Sequence, residues 1–597
     1  MSTVHVESTW GKFIRRILIC AGLTILVLST ANARIIDIPD EYNTIQEGID
    51  ASNDGDTVLV QPGEYPELIN FNGNNILLCS MFIPTGDSTF IDSTIIQGGE
   101  WYYGLVTFEN HEDSNAIICG FTLTQNYAEF GGGIFCNNSS PTITNNIISG
   151  NYVDSCGGGI YCSSHSNPII IHNIVKNDST DFWGLGGGIY CADSSNPIIK
   201  FNQIRGNRAG LGAGIYCESS TPVIDNNVIF ENVVIDPMGG GGGIYCWNSS
   251  PIITNNIIRD NWGAGYEGNG GGIYCTRSVP VIKNNIISGN TATWGGGITL
   301  GEGTIICEDV PSVSGNTIVD NFASMLGGGI FCTEANYYMM NNVIARNEGG
   351  FYGGGLYFDN TDINLYNNVF YGNIASFGGG VYGEMYSTLT FVNNIFWADS
   401  ARGSGNEFYF EYGVQALVSY TNIRDTLWPG EGNINEEPLF RDPENNDFHL
   451  MASYCGDPYD SPCIDMGDPE ISDSILDCDW GLGTERSDMG VYAGDGRAPL
   501  VITDDNPVIP VSFILHQNYP NPFNSETTIR YTLPYSSKVR LEIYNLLGQH
   551  IETLIDSKQS SGNHSINWDL SNNSSGIYFY KLTTINQSLI KRMTLLK

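Results

Sequence analysis

One short block, Gly-Gly-Gly-Ile-Tyr-Cys or a near variant, returns ten times through the chain. It begins at Gly131, Gly157, Gly186, Gly212, Gly241, Gly270, Gly295, Gly327, Gly353 and Gly378, at intervals of 25 to 32 residues. A second block, P-x-I-x-N-N-I-I-x-G-N in its commonest form, follows each copy. Its second Asn is present in all ten: Asn146, Asn173, Asn202, Asn227, Asn256, Asn285, Asn316, Asn342, Asn368 and Asn394. Five residues later eight copies carry another Asn, as at Asn151, Asn261 and Asn373, and the other two carry Asp178 and Asp399. The copies are short β-branched runs bounded by Gly, Pro and Asn, with no helical period. A unit with two or three such strands cannot bury its own apolar face, so copies must stack. The expected fold is all-β, a parallel β-helix over residues 34–498 with a continuous core.

In-register coils place identical side chains ~4.8 Å apart, so the ten Asn should hydrogen-bond along the axis. A catalytic Asn would be needed only once. The first and third glycines of the triplet are invariant, as a tight bend or close coil approach requires. A phosphate loop would need a following helix and usually a Lys, and neither is present.

Alternation in I-Y-C puts Ile and Cys inside and the aromatic outside. Leu300, Phe358 and Gly383 share the Cys position, which marks an apolar slot. Two readings stay open for these cysteines, free thiols or bridges between neighbouring coils; a pair among Cys455, Cys463 and Cys478 is the better disulfide candidate. The aromatic file either stacks coil on coil or offers a sugar-binding surface.

Asp359 and Glu384 occupy the same position in adjacent coils, with Glu334 one residue further along in the coil before. Such carboxyls suit a glycosidase pair or a calcium site. The segment from each ladder Asn to the next triplet varies in length, so insertions gather on one edge. Trp183, Trp262, Tyr266, Trp294 and Tyr352 lie there as candidate ligand contacts. The long seventh unit adds Glu302, Glu308 and Asp309. Arg205, Arg259 and Arg346 read as solvated turn residues.

Net charge is −39, and the body between residues 34 and 510 carries 14 bases against 58 acids. Such a body repels nucleic acid and anionic lipid, and repels polyanionic sugars unless a cation bridges them. Asp465, Asp468, Asp477, Asp479 and Asp488 crowd its last stretch, where calcium would relieve the repulsion. Lys12, Arg15 and Arg16 precede the apolar run 17–28, and Ala31-Asn32-Ala33 supplies a cleavage site after Ala33, so residues 1–33 read as a signal peptide. The mature chain then has no spanning segment. The stretch 499–510 reads as a linker, and 511–597 alternates apolar and polar residues as a small β-sandwich does.

The opening Ile45–Tyr65 begins as a short helix, turns at Asp54-Gly55-Asp56 and enters a strand at Thr57–Val60. It resembles the cap of the right-handed pectin-lyase-like β-helix superfamily. The repeat, as in Ile287-Ser288-Gly289-Asn290 before Gly295, is similar to that of polymorphic outer-membrane adhesins. The superfamily holds lyases, hydrolases and non-catalytic adhesins. Its lyases use strand-borne Asp for calcium and an Arg or Lys base, whereas the outward positions here carry aromatics. That departure favours a binding or adhesion protein with a polysaccharide or host-surface glycan as partner. Q-N-Y-P-N-P-F-N at Gln517–Asn524, V-R-L-E-I-Y-N-L-L-G-Q at Val539–Gln549 and S-G-I-Y-F-Y-K-L at Ser575–Leu582 resemble the C-terminal sorting domain of type IX secretion substrates. That resemblance implies a partner in the type IX machinery and a place outside, or on the outer membrane of, a Gram-negative bacterium of the Bacteroidetes type.

Overall fold

A computed structural model describes residues 33–99, 104–263, 265, 268–301, 312–384, 386–473, 476–478 and 480–493. Beyond these it describes 514–515, 518, 521, 523, 526–533, 537–545, 549–559, 562–569, 576–584 and 588–595. Of the expected signal peptide 1–33 all but Ala33, and the whole expected linker 499–510, lie outside the described residues.

One coil shows the path. Ile134–Asn137 forms the first side, Thr142–Thr144 the second, Ile147–Ser149 the third and Tyr152–Cys156 the fourth. The glycine triplet then returns the chain to Ile160–Ser163 on the first side, one rung on. About 13 turns stack in this way, and the four sides become parallel sheets of 13, 15, 14 and 11 strands. The sequence suggested two or three strands per unit. The fourth was hidden because its copies shrink to two residues, as at Arg208–Ala209, and carry no constant pattern.

Register is kept from rung to rung on the first side, while the fourth has bulges, as between Ala292 and Trp294. Ile160 pairs with Ile189 and Ile189 with Ile215, while Cys162, Cys191 and Cys217 follow the same file. Ile189, Cys191, Ile199 and Ile204 of one coil are all fully buried in the common core. The row cysteines Cys136, Cys162, Cys191, Cys217, Cys246, Cys275 and Cys332 are free thiols. Thiol–thiol hydrogen bonds and burial hold Cys162, Cys191 and Cys246 well above the ordinary thiol pKa, so they act as small hydrophobes.

The Asn ladder forms. Asn146 Nδ2 donates to Asn173 Oδ1 at 3.2 Å, Asn173 to Asn202 at 3.1 Å, and so on until Asn368 donates to Asn394 at 3.0 Å. Each Oδ1 also accepts a backbone N–H from the coil before, as Asn173 does from Asn146 at 3.0 Å. A second ladder, five residues on, lines the next corner: Asn207 donates to Asn232 at 3.0 Å and Asn373 to Asp399 at 2.8 Å. Each such bond is worth about 1 kcal/mol net, but leaving a buried amide unpaired costs more, which locks the rungs together.

The triplet glycines divide the labour. Gly157 has φ +71°, in the left-handed region. A Cβ on Gly158 would stand 2.4 Å from the Gly187 carbonyl one rung on, and one on Gly159 would stand 2.6 Å from that of Gly188. Outside, the aromatic file stacks face to face, with Phe135–Tyr161 centroids 5.1 Å apart at 2° and Tyr216–Tyr245 5.0 Å apart at 5°.

At the N-terminal end the helix Ile45–Asp50, with a Thr44–Glu47 capping box, buries Ile45 and Ile49 against the first rungs. The acidic closing stretch does not simply cap the other end. Residues 440–493 fold back as a strap across the outer face of the third side. There Val343, Val369 and Ile395 are buried under Phe440, Phe448, Trp480 and Val491. Asn341 Nδ2 donates to the Val491 and Ala493 carbonyls, both at 2.9 Å, and Cys455–Cys478 closes a disulfide within the strap. Strands between 514 and 595 form two antiparallel sheets of three and four strands around one core that includes Ile529, Leu541 and Tyr580.

Asp178 supplies a test of the ladder. It is fully buried at an Asn position, accepts from Asn151 Nδ2 at 2.9 Å, and its Oδ2 has no partner. At that place the amides of other rungs donate to a strand carbonyl and to the next rung, so a carboxylate oxygen would face acceptors. Burial pushes the carboxyl up to about 8, and the protonated acid mimics the amide. A raised carboxyl pKa makes stability fall as pH climbs from the ordinary Asp value to the folded one. Asp178→Asn should therefore stabilise the protein by on the order of a few kcal/mol at pH 8 and leave pH 3 unchanged. Denaturant midpoints at the two pH values measure this.

Candidate functional site

The carboxylates picked out by position do converge. Asp359 pairs in register with Glu384 on the first sheet, and Glu334, in a left-handed turn, donates its backbone N–H toward the Asp359 carbonyl at 3.4 Å. Tyr357 Oη donates to Glu384 at 2.5 Å, and one rung on Tyr382 Oη donates to Glu411 at 2.7 Å. Burial first, then the charges of Glu384 and Glu334, push the Asp359 carboxyl up. Its Oδ1 is buried and unpartnered. The result is a tyrosine–glutamate rung repeated along the axis, with one crowded aspartate. Glu302, Glu308 and Asp309 lie outside the described residues.

The aromatic candidates separate into two groups. Trp294 and Tyr352 do not stand free on loops; they pack over the aromatic file at Phe331, Tyr357 and Tyr382, which they help to bury. The triplet leads straight from the fourth side back to the first, so residues just before it fold over that face. Trp183 and Trp262 are exposed, at 74% and 52%. Tyr266 lies outside the described residues.

The acids of the strap serve its own loops. Asp465 accepts from Thr484 N and Oγ1, both at 2.7 Å, and Asp488 accepts backbone N–H from Asp465 at 2.7 Å and Leu482 at 2.8 Å. Asp468 accepts from Glu470 N at 2.9 Å. Burial pushes Asp488 up to about 7. Asp477 sits in a turn beside the disulfide, and Asp479 lies outside the described residues. Among the described residues no three His, Cys, Asp or Glu side chains gather as a metal-ligand group.

The right handed beta helix region family matches residues 56–247 and 211–337. The secretion system C-terminal sorting domain family matches residues 517–595. The chain is an exported right-handed β-helix protein. Among solved structures it is similar to the A-module of the mannuronan C-5 epimerase AlgE4 from Azotobacter vinelandii, at 16% identity and a TM-score of 0.34, over 63% of this chain and 94% of that one. No curated protein matches. The sorting domain marks this β-helix protein as a secreted or cell-surface substrate of type IX export. No described helix is long and apolar enough to cross a membrane.

Sequence reasoning missed two features of the β-helix protein. Arg205 and Arg259 are not turn residues but strand residues of the third side, set on either side of the Phe230 ring at 5.8 and 4.5 Å. Arg346 binds the strap, donating to the Pro443 carbonyl at 3.0 Å while pairing with Asp320. The signal for the first lay in the repeat itself, since Lys176, Arg205, Phe230 and Arg259 occupy one repeat position.

The crowding at Asp359 predicts a charge effect. Because the fold raises its pKa, the group costs stability once pH rises past the ordinary Asp value. Asp359→Asn should raise the melting temperature at pH 7 and leave it unchanged at pH 3. An equal gain at both would assign the effect to packing instead.

Proposed function

We propose that the protein is a non-catalytic, surface-displayed binding protein whose ligands are glycans. The single observation that carries this reading is the exposure of Trp183 and Trp262 at one edge of a rigid solenoid, while Tyr190, Tyr216, Tyr245, Phe331, Tyr357 and Tyr382 of the aromatic file are buried. An exposed indole on a fixed scaffold is a platform for the apolar face of a sugar ring. Sheets locked by two Asn ladders hold such platforms at fixed separation, which suits a polymer more than a small ligand. In the same reading residues 1–33 direct the chain across the inner membrane and are removed after Ala33, and 511–597 hands the folded body to the type IX machinery.

A second reading, a polysaccharide lyase or hydrolase, draws support from the raised carboxyl of Asp359, whose Oδ1 is unpartnered, beside Glu384 and Glu334. The strand positions beside them hold Tyr357 and Tyr382 rather than a base.

One experiment separates the two. The secreted protein is incubated with a polysaccharide panel, with and without calcium, and both retention and product release are followed. The binding reading predicts retention without new reducing or unsaturated ends, weakened by Trp183→Ala or Trp262→Ala. Product release abolished by Asp359→Asn or Glu384→Gln would establish the enzyme instead. Deleting 511–597 should leave the protein inside the cell envelope, as a fractionation of cells and medium would record.

A further inference from the structure

The strongly acidic body has one cationic stretch. Residues 176–283 hold seven of its 14 bases but only nine of its 58 acids. Stacking concentrates them further. On the third side Lys176, Arg205, Phe230 and Arg259 lie in register on four successive rungs, all outward and half-buried. Rungs repeat at ~4.8 Å, so this file extends over ~14 Å. The two guanidinium groups flank the Phe230 ring, which holds them extended against the sheet. A two-residue turn further on, the fourth side opens with Arg208, Val233 and Trp262, again in register. Arg208 and Trp262 are exposed. Arg259 pairs with Asp260 in the turn, and Glu231 is the other acid there. Among the described residues Lys176, Arg205 and Arg208 have no ion pair.

The same outward file continues under the strap as Val319, Ala345, Tyr371 and Trp397, where it is apolar and packs against the strap core. The third side is thus a face built to be covered, and its cationic part is the portion the strap leaves open.

We propose that this corner of the third and fourth sides binds an acidic polysaccharide, with Lys176, Arg205, Arg208 and Arg259 taking its carboxylate or sulfate groups and Phe230 and Trp262 taking the sugar faces. This rests on the glycan-binding reading and names the class of glycan. The arginine fork matches carboxylate and sulfate oxygens, and a linear file of bases along the axis matches an extended polymer with a charge at regular intervals. The negative remainder of the body does not forbid this, because at physiological salt its field falls off within ~8 Å.

The full-length secreted protein is titrated with dextran sulfate, with alginate and with neutral dextran, at low and high salt, by calorimetry. The site predicts binding to the two anionic polymers, weaker at high salt, and none to dextran. The triple variant Lys176→Ala, Arg205→Ala, Arg259→Ala should raise Kd about tenfold or more at an unchanged melting temperature. Glu231→Gln, which removes an opposing charge, should lower Kd, and this arm does not depend on the triple variant folding. Dextran bound as tightly as its sulfate, with loss in Trp183→Ala but not in the triple variant, would sink the inference and leave the glycan reading standing. No binding to either anionic polymer would sink it too. A DNA duplex bound as tightly, with the same loss in the triple variant, would reassign the patch as a general polyanion surface.

Discussion

A buried amide that meets its own copy every 4.8 Å governs this molecule. The side chain of Asn supplies one acceptor and two donors. In each coil the Oδ1 takes the backbone N–H and the amide of the rung before, while Nδ2 reaches a strand carbonyl as well, as Asn256 does to Ile224 at 2.9 Å. The side chains of the first ladder thus find their partners within the protein, as Asn256 does in Ile224 and Asn285. A one-residue slip would leave a buried polar group unpaired at every rung, so the ladders set register and the aliphatic and thiol interior follows. The aromatic file outside then stacks at the rung spacing over most of its length, as Tyr190 does on Tyr216 at 5.5 Å, with Tyr245 and Tyr274 meeting edge to face.

That constraint explains which substitutions the repeat tolerates. Ala213 replaces a middle glycine, and it is buried beside Ala209 and Val234, where a methyl group finds apolar company. Where Asp178 and Asp399 replace ladder Asn, burial pushes their carboxyls up to about 8 and about 7, so both keep the proton well above the ordinary Asp value. His172 and Phe201 stand at φ +58° and +56° where other coils use Asn or, once, Gly315, and their rings stack on each other at 5.2 Å. Strain in the backbone is offset by a contact outside it.

Much of this was legible in the sequence because period converts directly into position. The ten ladder Asn, the inward Cys file and the short capping helix all follow from alternation and spacing. The fourth side was not legible, since two-residue strands such as Arg208–Ala209 leave no pattern. The strap was missed for a different reason. Its Val343, Val369 and Ile395 contacts join residues about a hundred positions apart, and nothing local marks a strand face as covered. The charge count misled in a similar way: a total of −39 conceals the file at Lys176, Arg205 and Arg259. Candidate sites fared accordingly. Asp359, Glu384 and Glu334 come together as their repeat positions require, whereas Trp294 and Tyr352 turn out to be packing residues.

Hydrogen exchange followed by mass spectrometry tests the ladder account most directly. Peptides spanning the Asn-Asn corners, such as those containing 255–256 or 284–285, should be the slowest to exchange in the solenoid. Asn256→Ala should speed exchange in the two neighbouring rungs while distant rungs stay protected. Corners that exchange as fast as the exposed turns after the Cys file, or a variant whose effect spreads evenly along the body, would contradict it.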